Sequence, residues 1–474
     1  MFMQFYLVFN ANVGNVLYIC TMMNRKIDTM EGTQPATLDR SMPPAIRPVS
    51  RFDMVRPERR KMANGMPLNV IRAGSQEVVR LDILIGGGQW HQTQALQALF
   101  TNRMLREGTS TMTSAQIAEK LDYYGAWLEL SSAVNYGFIT LYSLNKYFPR
   151  TLDIIADMLM NPAFPEKEME VVVETNRQQF LVNSTRVEVI ARKQFHRSLF
   201  GEEHPFGRFA QVEDYDRINP DVLREFYRKY YHSGNASVYV SGKITPEIIR
   251  CIEEHLGDAP WGESHGKATL QLVEPNQTTE KRIFVEKADA LQSSLKMGGF
   301  MMDRSHPDFL KARVMVTLFG GYFGSRLMSN IREDKGYTYG IGAGIVNCPG
   351  SGVLAITTEA DNRYIDSIIA EVYHEMDKLC NDLAPREELE MVRSYMLGDL
   401  CRSYEGPFSL SDAWIYVETA GLDDEFFTRS VDAVRSVTAD EIRALAQQYF
   451  RKEKLIEVVA GKKMDFHFAS TEEK

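Results

Sequence analysis

The sequence lacks the short motifs that bind a metal ion locally. Its nine histidines are scattered, and no two of them lie three to five residues apart. The five cysteines are widely spaced and form no C-x-x-C pair. Zinc sites usually draw on such closely spaced ligands, so no local histidine-based zinc motif is present. The odd number of wide-set cysteines predicts free thiols in a reducing compartment.

A basic surface is also missing. The formal net charge is −9, which argues against a general nucleic-acid-binding protein. The composition, 44% hydrophobic and 25% charged, is typical of a soluble globular protein. A chain of 474 residues exceeds one ordinary hydrophobic core, which favours two or more domains.

The apolar start of the chain lacks the features of a secretory signal. Residues 1–21 are largely apolar, but the first cations are Arg25 and Lys26. Asparagines and a glycine interrupt the run, which is marginal for a membrane span. We predict that translation begins near Met23; a divergent signal or anchor is the alternative. Residues 1–50 are expected to be a loosely ordered arm or an over-called start. We expect no membrane partner and a cytoplasmic location, with the periplasm as the alternative.

An internal duplication is the strongest sign of domain organisation. Residues 221–243 and 440–462 align without a gap, and Asp, Arg, Tyr, Val, Gly and Lys coincide. Each copy predicts a helix followed by a short strand that ends at glycine. Pro220 is expected to start the first helix and Thr438 to cap the second. A period near 220 residues indicates two tandem domains of one fold; a chance helix–strand similarity is the alternative.

The two halves agree upstream as well. The first half predicts strands at 78–88, 126–132 and 137–143 and helices at 93–105 and 152–160. The second half predicts strands at 293–300 and 352–358 and helices at 309–318 and 364–379, in the same order. This order predicts an α+β fold of two homologous domains, each a mostly antiparallel sheet with helices on one face. The predicted boundaries are an arm at 1–50, an N-terminal domain at 51–262, a linker at 263–281 and a C-terminal domain at 282–474.

Several motifs give the chain a family resemblance from about residue 51 to 463. They are G-G-G-Q-W-H-Q, M-L-R-E-G-T, E-K-L-D-Y-Y-G-A-W-L-E, L-F-G-E-E-H-P-F-G-R and F-G-G-Y-F-G-S-R-L-M-S-N-I-R-E-D-K-G-Y-T-Y-G. With them the chain resembles the M16 (insulinase-like, or pitrilysin) peptidases in their short, two-domain bacterial form. The resemblance implies the LuxS/MPP-like metallohydrolase fold.

The chain departs from the family at the zinc motif. M16 peptidases carry H-x-x-E-H, in which two histidines bind zinc and the glutamate is the general base. The matching positions hold Leu99, Asn102 and Arg103. Leucine has no donor atom, asparagine is a poor base, and a guanidinium repels Zn²⁺. The distal glutamate ligand is expected near 177–179, and Glu174 lies about one turn early. The resemblance therefore implies a degenerate zinc site without a metal or other cofactor.

Two residues of the C-terminal half match the family's substrate-binding pair. In the family an arginine and a tyrosine reach the zinc site, and here they correspond to Arg332 and Tyr339. Both side chains can donate to a carbonyl or an oxyanion. We predict a helix over 326–332 and a left-handed turn at Gly336. An arginine that interacts only with the helix dipole and a merely packed tyrosine are the alternatives.

These positions imply a subunit that completes another chain's active site. We expect a zinc-free member of a heterodimeric M16 peptidase, inactive alone, whose homologous partner carries H-x-x-E-H and Zn²⁺. Unfolded or short peptides are the expected substrates. A catalytically inactive homologue that binds peptides or is structural is the alternative. Tyr337 is expected to be packed, and the glycines at 320, 321 and 324 to allow a tight turn or close approach. Arg103 either fills the former metal site or lies on the surface at a helix end.

Overall fold

The computed structural model describes Ser41 and residues 54–463. Residues 54–463 belong to one compact unit. The predictions for the apolar start, for translation from Met23 and, apart from Ser41, for the arm at 1–50 lie outside the described residues. The four cysteines within them, Cys251, Cys348, Cys380 and Cys401, are free thiols.

Two sheets form the centre of the fold. Within residues 54–463, the first sheet has the strand order β1-β2-β6-β3-β5-β4 and the second β7-β11-β8-β10-β9. The strands are β1 Glu58–Lys61, β2 Pro67–Arg72, β3 Val78–Gly86, β4 Trp127–Ser132, β5 Tyr136–Leu144, β6 Ala236–Gly242, β7 Arg282–Glu286, β8 Gln292–Met301, β9 Thr338–Cys348, β10 Ser351–Asp361 and β11 Ile456–Gly461.

The helices surround these sheets. They are α1 Gln97–Met104, α2 Ser114–Tyr123, α3 Phe148–Met160, α4 Glu166–Ser184, α5 Val187–Phe200, α6 Pro220–Tyr230, α7 Pro246–Ile252, α8 Phe309–Val316, α9 Ile365–Asn381, α10 Arg386–Ser403, α11 Pro407–Thr419, α12 Phe426–Ser436 and α13 Ala439–Tyr449. Within residues 54–463, π-helical segments accompany them at Glu253–Gly257, Thr317–Gly321 and Met328–Asp334.

The duplicated segments occupy equivalent places in the two sheets. β6 pairs in parallel with β2 and antiparallel with β3, and β11 pairs in the same way with β7 and β8. The helix before each strand begins as predicted: the Asn219 side chain accepts from two backbone N–H groups beside Pro220, and Thr438 forms a capping box with Glu441. The predicted α+β fold with two like-folded halves is confirmed.

The first predicted helix is shorter than expected. The sequence predicted a helix over 93–105, whereas α1 begins at Gln97 and ends at Met104. Leu96 precedes it in the left-handed region, with φ of 72°, so the backbone turns sharply there. Leucine rarely adopts this conformation, which is why the sequence pattern gave no sign of the turn.

Each half also contributes a helix to the sheet of the other half. α5 packs on β8 and β11 of the second sheet, and α11 packs on β2 and β6 of the first. On β3, Leu81 and Ile83 face the core of the first half, while Leu84 joins the core of the second half. The two halves therefore share hydrophobic cores in addition to the helices predicted on one face of each sheet.

Candidate functional site

Arg332 and Tyr339 flank one tight turn at the edge of the second sheet. Arg332 lies in the π-helical segment Met328–Asp334, which follows a helical start at residue 326. The chain reverses at Gly336, whose φ is 65°, and Tyr337 donates its backbone N–H to the Ile331 carbonyl at 3.0 Å. The predicted helix, which is mostly π-helical, and the predicted glycine turn are confirmed, and Tyr339 follows them at the start of β9.

A β-bulge sets the position of Tyr339. Thr338 pairs with Ala360 and Ile341 with Thr358, so Tyr339 and Gly340 together stand opposite one residue of β10. The Thr338 hydroxyl donates to the Glu359 carbonyl at 2.7 Å and fixes the irregular pairing. Bulges re-aim side chains. The Tyr339 side chain stands in solvent, with a relative exposure of 91%.

The Arg332 guanidinium rests on an exposed aromatic ring. Its central carbon lies 4.5 Å from the ring centroid of Phe323, which is itself 60% exposed. Among the described residues, neither the Arg332 side chain nor the Tyr339 side chain has a hydrogen bond or an ion pair. Stacking holds a guanidinium by its face and leaves the N–H groups at its edge able to donate.

Asn330 anchors the π-helical segment to α9. Its Nδ2 donates to Glu371 at 2.9 Å and to the buried Glu375 at 2.7 Å. Lys335 pairs with Glu371 at 2.8 Å, and this hydrogen-bonded pair lowers the pKa of Glu371. Lys378 pairs with Glu375 at 2.9 Å. These contacts fix the π-helical segment at Asn330, two residues before Arg332. The sequence pattern did not predict these contacts.

Gly320 allows the backbone to approach β9 closely, as one of the predictions for the glycine cluster expected. A Cβ on Gly320 would lie 2.6 Å from the Cβ of Ala343, so only glycine lets the π-helical segment Thr317–Gly321 approach β9. Tyr337 is partly buried and stacks on Tyr364 with ring centroids 4.8 Å apart. Its predicted packing role is confirmed.

The degenerate zinc positions lie on α1, in the first half. Asn102 is fully buried, and its Nδ2 lies 3.3 Å from the Tyr231 hydroxyl and 3.4 Å from the Phe138 carbonyl. Its Oδ1 has no hydrogen-bond partner among the described residues. Leu99 and Arg103 are partly buried on the same helix face.

Arg103 is partly buried near the end of α1. Burial lowers the pKa of Arg103, and the neighbouring Tyr215 opposes this effect. The Tyr215 hydroxyl donates to Asn176 of α4 at 3.1 Å. An apolar residue, a buried amide and a guanidinium replace a metal-ligand set here, so these residues do not fit zinc.

The later helix offers no replacement ligand set. Glu174 is exposed, accepts from Gln178 at 2.6 Å and lies 3.4 Å from Arg177. Across residues 54–463, no group of three or more His, Cys, Asp or Glu side chains is arranged to hold a metal ion. No hydrogen bond, ion pair or ring contact in that range joins the α1 positions to Arg332 or Tyr339.

Comparisons with known proteins identify the family. The family model described as "Insulinase (Peptidase family M16)" matches residues 70–207, and "Peptidase M16 inactive domain" matches residues 217–396. Together they match most of the chain, which therefore belongs to the M16 peptidase family. The predicted family is confirmed.

Relatives with similar sequences differ in their described activity. "Uncharacterized zinc protease YmxG" of Bacillus subtilis is 23% identical over 401 residues, covering 84% of this chain and 96% of that protein. "Non-peptidase homolog YmxG" of Helicobacter pylori is 23% identical over 260 residues, covering 54% and 59%. The family description and the second name fit an inactive M16 homologue.

Solved structures share the fold. The "peptidase M16 inactive domain from Pseudomonas fluorescens" has a TM-score of 0.76 at 20% identity and covers 86% of this chain and 98% of its own. "A protease from Helicobacter pylori" has a TM-score of 0.78 at 14% identity, covering 86% of this chain and 100% of that chain.

Within the described ranges, no helix combines the length and apolarity that a membrane crossing requires.

Proposed function

We propose that this chain is the zinc-free subunit of a heterodimeric M16 peptidase. A homologous partner with H-x-x-E-H would bind Zn²⁺, which activates water for peptide hydrolysis. This chain supplies Arg332 and Tyr339, which donate hydrogen bonds to the substrate peptide and to the oxyanion that forms at the cleaved carbonyl. Alone, the chain has no peptidase activity.

The observation that supports this proposal is that the exposed Tyr339 and the partly buried Arg332 both have side-chain donors without a hydrogen bond among the described residues. A tyrosine that only packed would be buried, whereas Tyr339 is 91% exposed. An arginine that only stabilised the surface would pair with a carboxylate, whereas Arg332 stacks on Phe323. The bulge and the Asn330 contacts fix the backbone beneath both side chains. Such pre-organised donors suit an incoming ligand.

The strand beside these donors suits a peptide substrate. β9 is an edge strand, with β10 on its only paired side within the described sheet. An extended peptide can add to such an edge through backbone hydrogen bonds, which tolerate many side chains. Unfolded or short peptides are therefore the proposed substrates.

A complementation assay tests the proposal. The purified chain is assayed with a quenched fluorescent peptide, alone and mixed with an M16 subunit that carries H-x-x-E-H from the same genome. We expect cleavage from the mixture above that of either chain alone. Strong cleavage by this chain alone would refute the proposal.

The second candidate is a peptide-binding or structural subunit without any role in catalysis. The buried Asn102 and the partly buried Arg103 on α1 favour it, because this half is built without a metal site. The name of the Helicobacter pylori relative agrees with it. Under this alternative the chain binds the same peptide, and no zinc-motif subunit makes the mixture cleave it.

A further inference from the structure

A pocket lies where the linker crosses the loop after β3, and neither Arg332 nor Tyr339 lines it. Its volume is about 480 Å³. Trp90 and His91 from the loop and Tyr230 from the end of α6 line it, together with linker residues 265–269, Gln271 and Val273. This volume is in the range of small-molecule sites.

Hydrogen bonds fix the linker wall to the first half. The Ala268 N–H donates to Asn235 at 2.8 Å, and Trp90 Nε1 donates to the Gln271 carbonyl at 3.0 Å. His204 Nε2 lies 3.1 Å from the Val273 carbonyl. The pocket is therefore formed before any ligand enters, which lowers the entropic cost of binding.

The lining has one sign of charge. Lys229, His265 and Lys267 line the pocket, and none of its lining residues is an aspartate or glutamate. Among the described contacts, Glu263 lies 3.5 Å from His265. This is unusual in a chain of net charge −9 and attracts anions.

A flat apolar surface lies beside these cations. The Trp90 ring is held edge-on by His204 and Phe206, at centroid distances of 5.4 and 5.5 Å. Because its N–H is already bonded to the linker, the ring offers an apolar surface.

His91 lies in the same pocket without hydrogen bonds from its ring. Both ring nitrogens are buried and lack a partner of acceptable geometry among the described residues. Burial lowers the pKa of His91; the Thr269 backbone opposes this effect, and Lys229 adds to it. Buried polar atoms without partners are rare in folded proteins, and His91 lines this pocket.

We propose that this pocket binds a small oxyanion attached to a flat apolar group. The carboxylate or phosphate lies near Lys229 and Lys267, and the apolar group lies against Trp90. The two lysines disfavour a metal cation. The free carboxylate of a peptide C-terminus and a small organic acid or phosphate ester share this chemistry, so the experiment separates these sources.

Calorimetric titration of the full chain tests the pocket with four small probes: phenyl phosphate, benzoate, phenol and inorganic phosphate. We expect phenyl phosphate or benzoate to bind and phenol not to bind. Lys229→Ala/Lys267→Ala should weaken binding at least tenfold, whereas Lys167→Ala, an exposed lysine on α4, should not. A peptide C-terminus is tested by titrating acetyl-Gly-Phe with a free carboxylate and the same peptide with a C-terminal amide. Binding of the acid alone identifies a peptide C-terminus as a ligand.

An NMR signal from His91 tests whether the ligand binds in this pocket. The His91 imidazole resonance, assigned by its loss in His91→Gln, should shift when phenyl phosphate or benzoate is added. Equal binding of phenol, equal binding of inorganic phosphate, or unchanged affinity in the double lysine variant would overturn the proposal. So would the absence of binding by phenyl phosphate, benzoate and the peptide acid at millimolar concentration.

Discussion

The turn between Arg332 and Tyr339 depends on a single residue. Gly336 adopts φ of 65°, and no atom lies within 4 Å of the place where a Cβ would stand. A substitution there changes backbone strain without creating a clash. Gly340, four residues later, also has open space around it but lacks a positive φ. The two glycines form a matched pair for separating strain from crowding.

Gly336→Ala should destabilise the protein by about 1 kcal/mol, because an L-residue is strained in the left-handed region. Gly340→Ala should change the free energy of unfolding by far less. Urea unfolding of both variants measures the difference. Equal stabilities would contradict the assigned role of the turn.

Among the elements, the π-helical segment Met328–Asp334 is anchored to α9 by Asn330. Asn330 bonds two carboxylates of α9, and one of them, Glu375, is only 4% exposed. If Asn330 is lost, Glu375 retains Lys378 as its hydrogen-bonding partner among the described contacts. The position of Arg332 thus depends on packing between two elements far apart in sequence.

Asn330→Ala should cost about 1–2 kcal/mol, because it removes a donor from a buried carboxylate. Hydrogen exchange should increase over residues 328–334. Ser329→Ala on the same segment is the control, since Ser329 has no side-chain hydrogen bond in the described structure. Similar exchange in the two variants would show that Asn330 does not hold the segment.

Local sequence signals predicted the elements well and their irregularities poorly. The cap at Thr438 and the turn at Gly336 follow from side-chain chemistry, and the duplication anticipated the matching places of β6 and β11. The left-handed Leu96 and the bulge at Tyr339 depend on tertiary contacts, which periodicity does not report. The cation–π contact of Arg332 with Phe323, nine residues earlier, likewise depends on how the π-helical segment folds.

At the scale of the whole molecule, a polar network around the buried Arg80–Asp82 pair joins the two halves. Arg80 on β3 lies 2.9 Å from Asp82 and 2.6 Å from Asp412 of α11. Asp82 is 1% exposed and also accepts from Thr140 and Ser411. Burial raises the pKa of Asp82, and Arg80 opposes this effect. The network fixes α11 on the first sheet.

Arg80→Met should destabilise the protein by about 3–5 kcal/mol, since it leaves the buried Asp82 carboxylate without its cation. Arg80→Met/Asp82→Leu should recover part of this loss. Asp412→Asn is the control and should have a much smaller effect, because the Asp412 side chain is 46% exposed. Chemical unfolding of the three variants measures the order. A double variant less stable than Arg80→Met would contradict this account.

Stability should also fall in mild acid through His196 on α5. Burial lowers the pKa of His196 to about 4 from its ordinary value of 6.5, and Arg192 adds to the effect. As pH falls from 6.5 to 4 the unfolded chain takes up a proton that the folded chain does not, so stability decreases, by at most about 1.4 kcal/mol per pH unit. Unfolding measured across this range should show a shallower slope for His196→Gln. His374→Gln, on an exposed face of α9, should keep the original slope.

The central claim is that Arg332 and Tyr339 act at a zinc site held by another chain. The most direct measurement is kcat and KM of the mixture with an H-x-x-E-H subunit, using Arg332→Ala and Tyr339→Phe. Loss of one oxyanion donor should lower kcat about 10²–10³-fold. Arg402→Ala and Tyr123→Phe, at exposed positions elsewhere, should leave the rate unchanged. Full activity of the mixture with both Arg332→Ala and Tyr339→Phe would contradict the account.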